Sequence, residues 1–214
     1  LVYSKKETIQ AAIIEAMMNV TFCIVLVYLL VYQEIIVGWS ASRAALLSTV
    51  TSIIAIILVP LAGVLSDRIG RKPILIGAAS SLIVLSYPLF YVMGLDTEWA
   101  GTASTIGLGV ILAVILGVHA VTCAELFPTR TRQSGMSISY QAGTALFAGT
   151  APYIITWLIA ETGNIYIPAF YLIGMGVIGL IAIVGIRESV GIDLLTKDRE
   201  ILEKEKMLYR MPSD

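Results

Sequence analysis

The chain has 214 residues, 57% of them hydrophobic and only 14% charged, with a formal net charge of -1. A mean hydropathy of +0.88 excludes an ordinary soluble domain, and a pI near 5.9 leaves no basic surface for nucleic acid. Two cysteines, Cys23 and Cys123, lie far apart within apolar runs, so neither a disulfide framework nor a metal site is implied.

Crossing a hydrocarbon core of about 30 Å takes about 20 apolar residues in a helix. Windows of that length fall at about 9–32, 44–65, 74–93, 102–126, 134–160 and 165–186. The runs do not alternate as barrel strands would, so the predicted fold is an all-α membrane protein of six transmembrane helices. Residues 1–188 form this bundle and 189–214 a charged tail. The chain opens on Leu1, and its first run is too long for a signal peptide and lacks a small-residue cleavage site, so it reads as a piece of a larger protein.

Ser4-Lys5-Lys6-Glu7 has capping-box spacing ahead of the first span. Glu15 falls about 9 Å into that span at 1.5 Å per residue, with Asn19 at i+4 on the same face. An ionisable group at that depth is expensive unless it meets water or a partner, which makes it either an inward functional group or, if the helix starts late, an interfacial one. Asn19-Val20-Thr21 matches a glycosylation sequon inside the span, where no transferase reaches. On the second span, Ser48 and Ser52 share a face beside Thr49 and Thr51; such hydroxyls line cavities or bond their own helix backbone.

Between the second and third spans stands Gly63-Val-Leu-Ser-Asp67-Arg68-Ile-Gly70-Arg71-Lys72-Pro73, three cations and one acid in a tight turn. Gly63 and Gly70 allow close backbone approach, Asp67 is suited to cap a helix or pair with a cation, and Pro73 is tolerated in a first turn. A loop that merely held cations at a membrane surface would need neither the acid nor the glycines. In the fourth span His119, the single histidine, sits about 10 Å from the end, with Thr122 and Cys123 at i+3 and i+4. Histidine in this setting is either a hydrogen-bonded packing residue or a proton relay.

Along the fifth span Tyr140, Thr144 and Phe147 recur at helical spacing, and Gly135, Ser139 and Gly143 form a separate ridge of small residues suited to packing. Gly174-Met-Gly176-Val-Ile-Gly179 spells a dinucleotide-binding pattern, but it lies inside an apolar span with no preceding strand, where close helix packing is the expected use. Tyr28, Tyr32, Tyr87, Tyr91 and Trp99 fall toward one end of their spans, as an interfacial aromatic belt would. In the tail, Leu194, Ile201 and Leu208 recur every seven residues, too short a pattern for an isolated coiled coil and by default a solvated helix.

Alternating sides from span to span places 13 of the 14 basic residues on one face of the membrane, with only Arg43 opposite. Glu34, Asp96, Glu98 and Glu161 fall in the other loops. Both termini and the charged turn are therefore expected to be cytoplasmic.

The turn G-x-L-S-D-R-x-G-R-K-P resembles the loop signature of the major facilitator superfamily, in the copy carried by the C-terminal half. Residues 124–141, AELFPTRTRQSGMSISYQ, and 149–159, GTAPYIITWLI, are similar to the metabolite:proton symporters within it, with Gln141 standing where many relatives carry Asn. The resemblance covers residues 9–188. It implies the C-terminal six-helix half of a secondary transporter in a bacterial plasma membrane, paired with an N-terminal six-helix half that this sequence does not include. Gly63, Asp67, Arg68, Gly70, Arg71 and Lys72 would form a conformational latch, with Glu125, Arg130 and Arg132 in a cytoplasmic gate loop. Asn19, Tyr140, Gln141 and Thr144 are candidates to face the substrate cavity, and Glu15 and His119 are the candidates for proton coupling. The implied partners are a small organic metabolite, an organic acid or a zwitterion such as proline or betaine, and protons; no cofactor is implied. No hydrolytic or redox constellation points to an enzyme. A sugar porter, or a non-transporting sensor on the same fold, is the alternative.

Overall fold

The computed structural model describes residues 5–95, 97–129 and 131–186. The Ser4 capping box, Asp96, Arg130 and the heptad tail lie outside the described residues. Six helices are long and apolar enough to cross a membrane: α1 (Lys5–Ile35), α2 (Ala41–Ile69), α3 (Arg71–Met93), α4 (Glu98–Leu126), α5 (Arg132–Thr162) and α6 (Ile167–Val184). They match the six predicted spans, each boundary within about four residues.

Local chemistry sets the boundaries. The Ser40 hydroxyl caps α2 by accepting from the Arg43 N–H, and α2 stops at Gly70, whose φ of 113° suits glycine alone. One residue therefore separates α2 from α3. α5 ends on Gly163 in the left-handed conformation, after which the Asn164 side chain accepts from the Tyr166 N–H at 2.9 Å.

Two helices are interrupted. α1 changes to π-helix over Cys23–Tyr28 and α5 over Thr144–Ala148, the latter followed by a turn at Gly149 and Thr150. A π segment shifts the side-chain register, and such segments concentrate at functional positions. α4 runs unbroken through the middle of the bundle.

The packing has an internal repeat. α1 rests on α5 and α6 and against α4; α4 rests on α2 and α3. α3 packs on α6. Exchanging α1, α2, α3 for α4, α5, α6 leaves this pattern unchanged, and since α1 and α4 are three crossings apart they run in opposite directions. The bundle is thus two inverted three-helix units, an arrangement that nests within each half of transporters of this type. α1 is the most buried span, while α2 and α5 are the least.

Glycine makes the close approaches. A Cβ at Gly117 of α4 would stand 2.5 Å from the Val59 carbonyl oxygen of α2, and one at Gly143 of α5 would stand 2.8 Å from the Ala16 nitrogen of α1. These two contacts occupy corresponding helix pairs of the repeat. Gly135 and Ser139 are buried with Gly143, so the expected ridge packs as read. Gly176 and Gly179 press against Ile83 and Met17, which is helix packing and not a nucleotide loop. The aromatic belt needs correction at two positions: Tyr28 and Tyr32 are buried, Tyr28 bonding Thr156 and Tyr32 meeting Phe90 edge to face. Tyr87 and Tyr91 do remain exposed, in a cluster with Tyr166 and Phe170.

Backbone atoms cannot move aside as side chains can. Gly117→Ala is expected to destabilise the bundle by about 1–3 kcal/mol, the usual range for overpacking. Gly174→Ala, where nothing lies within 4 Å, should be neutral or slightly stabilising. Thermal unfolding of the two variants in detergent, followed by size-exclusion profile, measures the difference.

Candidate functional site

Three groups of polar residues stand out against the apolar bundle. The first is the knot between α2 and α3. Arg71, at the start of α3, pairs with Asp67 near the end of α2 at 3.2 Å and with Glu125 near the end of α4. Lys72 turns the other way and donates to the backbone carbonyls of Val184 and Ile186 at 2.7 and 2.8 Å, covering oxygens that the end of α6 leaves unpaired. Two adjacent cations therefore join four helices at one end of the bundle. Gly63 lies beside Gly117, and Gly70 supplies the reversal that puts Arg71 below Glu125.

Exposure separates the members of the knot. The side chains of Arg71 and Glu125 are only 14% and 16% exposed, whereas that of Asp67 is 66% exposed. Asp67 and Arg68 face outward from this bundle while Arg71 and Lys72 face into it. Arg132, in the expected gate loop, is half-buried, and its Nε and Nη2 have no hydrogen-bond partner among the described residues.

The second group is in the interior. Glu15 of α1 is 3% exposed and His119 of α4 is 8% exposed, with His119 Nε2 at 3.8 Å from Glu15 Oε2. The other ring nitrogen, Nδ1, lies 3.2 and 3.1 Å from the carbonyl oxygens of Ile115 and Leu116. Cys123 stands one turn beyond His119, beside the Glu15 side chain. α1 does not start late: it begins at Lys5, and Glu15 lies buried about 15 Å along it at 1.5 Å per residue. Sequence spacing had placed Glu15 and His119 each in a span; their pairing comes from the α1–α4 contact.

The third group is the candidate cavity face, and the structure divides it. Asn19 is buried and its side-chain amide donates to the Glu15 carbonyl at 3.0 Å, so it serves its own helix. Tyr140 is 44% exposed, Gln141 is exposed, and Thr144 is half-buried with its hydroxyl bonded to the Tyr140 carbonyl at 2.8 Å. Tyr140 and Gln141 stand just before the π segment of α5. On α2 the side chains of Thr49 and Ser52 bond the Ala45 and Ser48 carbonyls, the backbone use that competes with a cavity role. A buried polar contact that sequence reading missed is that of Gln33 with Thr105 at 2.7 Å, joining α1 to α4 near their opposite ends.

An inverted-repeat helical bundle with a charged knot at one end and an ionisable pair inside defines a membrane transporter class more closely than any other. A family model described as "Sugar (and other) transporter" matches residues 3–200, and the chain belongs to this family of the major facilitator superfamily. It is a family of transporters, not of enzymes. The chain is 32% identical over 162 residues to the ectoine/proline transporter of Corynebacterium glutamicum, covering 76% of this chain and 32% of that protein. It is 30% identical over 195 residues to a glycine betaine/proline/ectoine/pipecolic acid transporter of Dickeya dadantii, covering 87% of this chain and 39% of the relative. To the proline/betaine transporter of Escherichia coli K12 it is 32% identical over 171 residues, covering 80% and 34%. The chain thus spans about a third of the length of these relatives.

The burial contrast within the knot yields a ranking. Removing charge from an exposed pair costs about 0–1 kcal/mol, and removing one partner of a buried pair about 3–5. Asp67→Asn is expected to leave stability within about 1 kcal/mol of the parent. Glu125→Gln, which leaves Arg71 facing a neutral group at a largely buried site, should lower it by about 1–3 kcal/mol, between those limits. Chemical or thermal unfolding of the two purified variants checks the order.

Proposed function

We propose that these six helices form the C-terminal half of a proton-coupled symporter that carries a small zwitterion of the proline or betaine kind. The observation that carries this reading is the set of relatives, each named as a transporter of proline, betaine or ectoine. The chemistry of the bundle fits it. Among the described residues no lysine or arginine lies deep in a span, so a carboxylate-only substrate would draw its counter-charge wholly from the other half. A zwitterion carries its own and demands less. The exposed Tyr140 and Gln141 face is the surface of α5 available to such a substrate. A sensor on the same fold would have no use for the buried Glu15–His119 pair.

The other half would be an N-terminal six-helix bundle seated against this one. α2 and α5 are the least buried helices, and at the knot Asp67 and Arg68 point away from the bundle. In this reading Arg71, Lys72 and Glu125 hold the knot rigid, while Asp67 and Arg68 make or break contact with the other half as the transporter alternates. The site faces the cytoplasm, with both termini of the chain on the same side, by the distribution of basic residues.

Two measurements test the proposal. In vesicles containing the full transporter, proline or betaine should accumulate with an inward proton gradient and leak away on addition of an uncoupler. The six helices alone should give no saturable uptake. Accumulation that follows sodium with no proton gradient, or transport of sugars only, would replace the reading by a sodium-coupled or sugar porter. For orientation, single cysteines at Ile69 and Leu95, both exposed, should react with an impermeant reagent from opposite sides of the membrane. Reaction of both from one side would overturn the arrangement.

A further inference from the structure

We propose that Glu15 and His119 act as one site that holds a single exchangeable proton at the contact of α1 with α4. The geometry of the imidazole leads there. A carbonyl oxygen only accepts hydrogen bonds, so the Nδ1 that lies between the Ile115 and Leu116 carbonyls is the ring nitrogen that bears a hydrogen. With Nδ1 so committed, Nε2 is either bare or the seat of a second proton, and it is Nε2 that faces Glu15 Oε2. That oxygen is buried and has no hydrogen-bond partner among the described residues.

Proton counting then separates the possible states. With no proton between them, a carboxylate faces a bare nitrogen lone pair, two acceptors with nothing to share and one buried charge unanswered. With one proton, the pair is either a neutral acid against a neutral imidazole or a carboxylate against an imidazolium; both answer the contact, and the total is the same whichever of the two groups carries the proton. With two, a neutral acid faces an imidazolium and the interior carries an uncompensated cation. Burial disfavours the two charged extremes, so while α1 and α4 are in contact the pair holds one proton as a unit, and it exchanges that proton when the contact opens.

The surroundings supply little competition. On α4 the Cys123 thiol, beside the Glu15 side chain, is the further titratable group next to it among the described residues. α5 meets α1 here through Gly143 against Ala12 and Ala16, and α6 through Gly179 against Met17, none of them titratable. The described residues of α2 and α3 that carry charge are at the knot or in Arg43, at the helix ends. The proton is therefore held between two helices whose separation decides whether the site exists: if α1 moves from α4, Oε2 and Nε2 lose each other and the two groups titrate separately.

The consequence for coupling rests on the transport reading above; the occupancy of the site does not. His119 is the only histidine of this 214-residue chain, so selective ¹⁵N-histidine labelling of this chain in lipid reports on it alone. Nδ1 should remain protonated across the titration and Nε2 alone should change. In Glu15→Gln the midpoint of that change should move by about one pH unit or more, the mark of an interacting pair. A bare Nδ1, which is read on the parent protein without any variant, or a midpoint unmoved by Glu15→Gln, would overturn the proposal. In the full transporter, Glu15→Gln and His119→Gln should each keep proline exchange down its own gradient and lose proton-driven accumulation, and Glu15→Asp should recover part of it. Unchanged accumulation in Glu15→Gln would sever the site from coupling. Absence of any proline exchange by the parent would refute the transport reading and leave the ¹⁵N result standing on its own.

Discussion

The interior of this bundle depends on how closely α1 is packed. Gly143 brings the backbone of α5 onto that of α1 at Ala12 and Ala16, and Gly179 lets Met17 seat into α6. With α4 on the remaining side, every residue from Ile14 to Thr21 is buried. The middle of α1 is largely closed to solvent, so polar groups there are best answered by protein. Thr21 bonds the Met17 carbonyl and Asn19 the Glu15 carbonyl, both within the helix. The Glu15 side chain has no such local solution and reaches across to His119 and Cys123. Close packing thus creates the electrostatic demand that the histidine meets.

The charged knot binds a different set of elements. Arg71 and Lys72 connect α2, α3, α4 and α6, and leave α1 and α5 outside. Those two are also the helices that contain π segments, and they pack on each other. The bundle therefore has one part tied by ion pairs and capped carbonyls at the knot, and another part held by close packing with a few hydrogen bonds such as Tyr28–Thr156 and containing the irregular turns where helices bend. Glu15 belongs to the second part and His119 to the first. A proton held between them lies on the seam along which the two parts would shift.

Much of this was legible in the sequence because the bilayer imposes so coarse a code. Apolar runs of about 20 residues give the spans, and glycine and small-residue ridges announce their own packing. Gly135, Ser139 and Gly143 needed only helical spacing to be placed on one face. The charged turn was legible for the same reason, its eleven residues holding both partners of the Asp67–Arg71 pair at i, i+4. What sequence could not supply were contacts between distant helices. Arg71 and Glu125 are more than fifty positions apart, and Glu15 and His119 more than a hundred, and no periodicity relates them. Tyr28 and Tyr32 were misplaced because aromatic residues near a span's end serve equally as belt or core, and only the α3, α4 and α5 neighbours decide. The π segments left no readable signal, since Cys23–Tyr28 is as apolar and regular in composition as its flanks.

Magnitude distinguishes the two ionisable sites as switches. Moving a two-state equilibrium from one extreme to the other takes about 5.5 kcal/mol of differential binding. A proton contributes about 1.4 kcal/mol for each unit by which its affinity differs between states, so about four units are needed. Asp67, 66% exposed in this bundle, meets Arg71 in a pair screened by solvent, and a contact of that kind is worth about 1 kcal/mol or less. It can bias an equilibrium by a few fold but cannot drive it. A group moved between a dry and a wet environment changes by up to about 3–5 units, an upper limit that reaches what is needed. Of the acidic side chains described in this chain, Glu15 alone is buried among apolar neighbours with an unpartnered oxygen. On the proposed reading, the knot would set the resting balance between conformations, and the buried pair would be the place where a proton gradient does work on it.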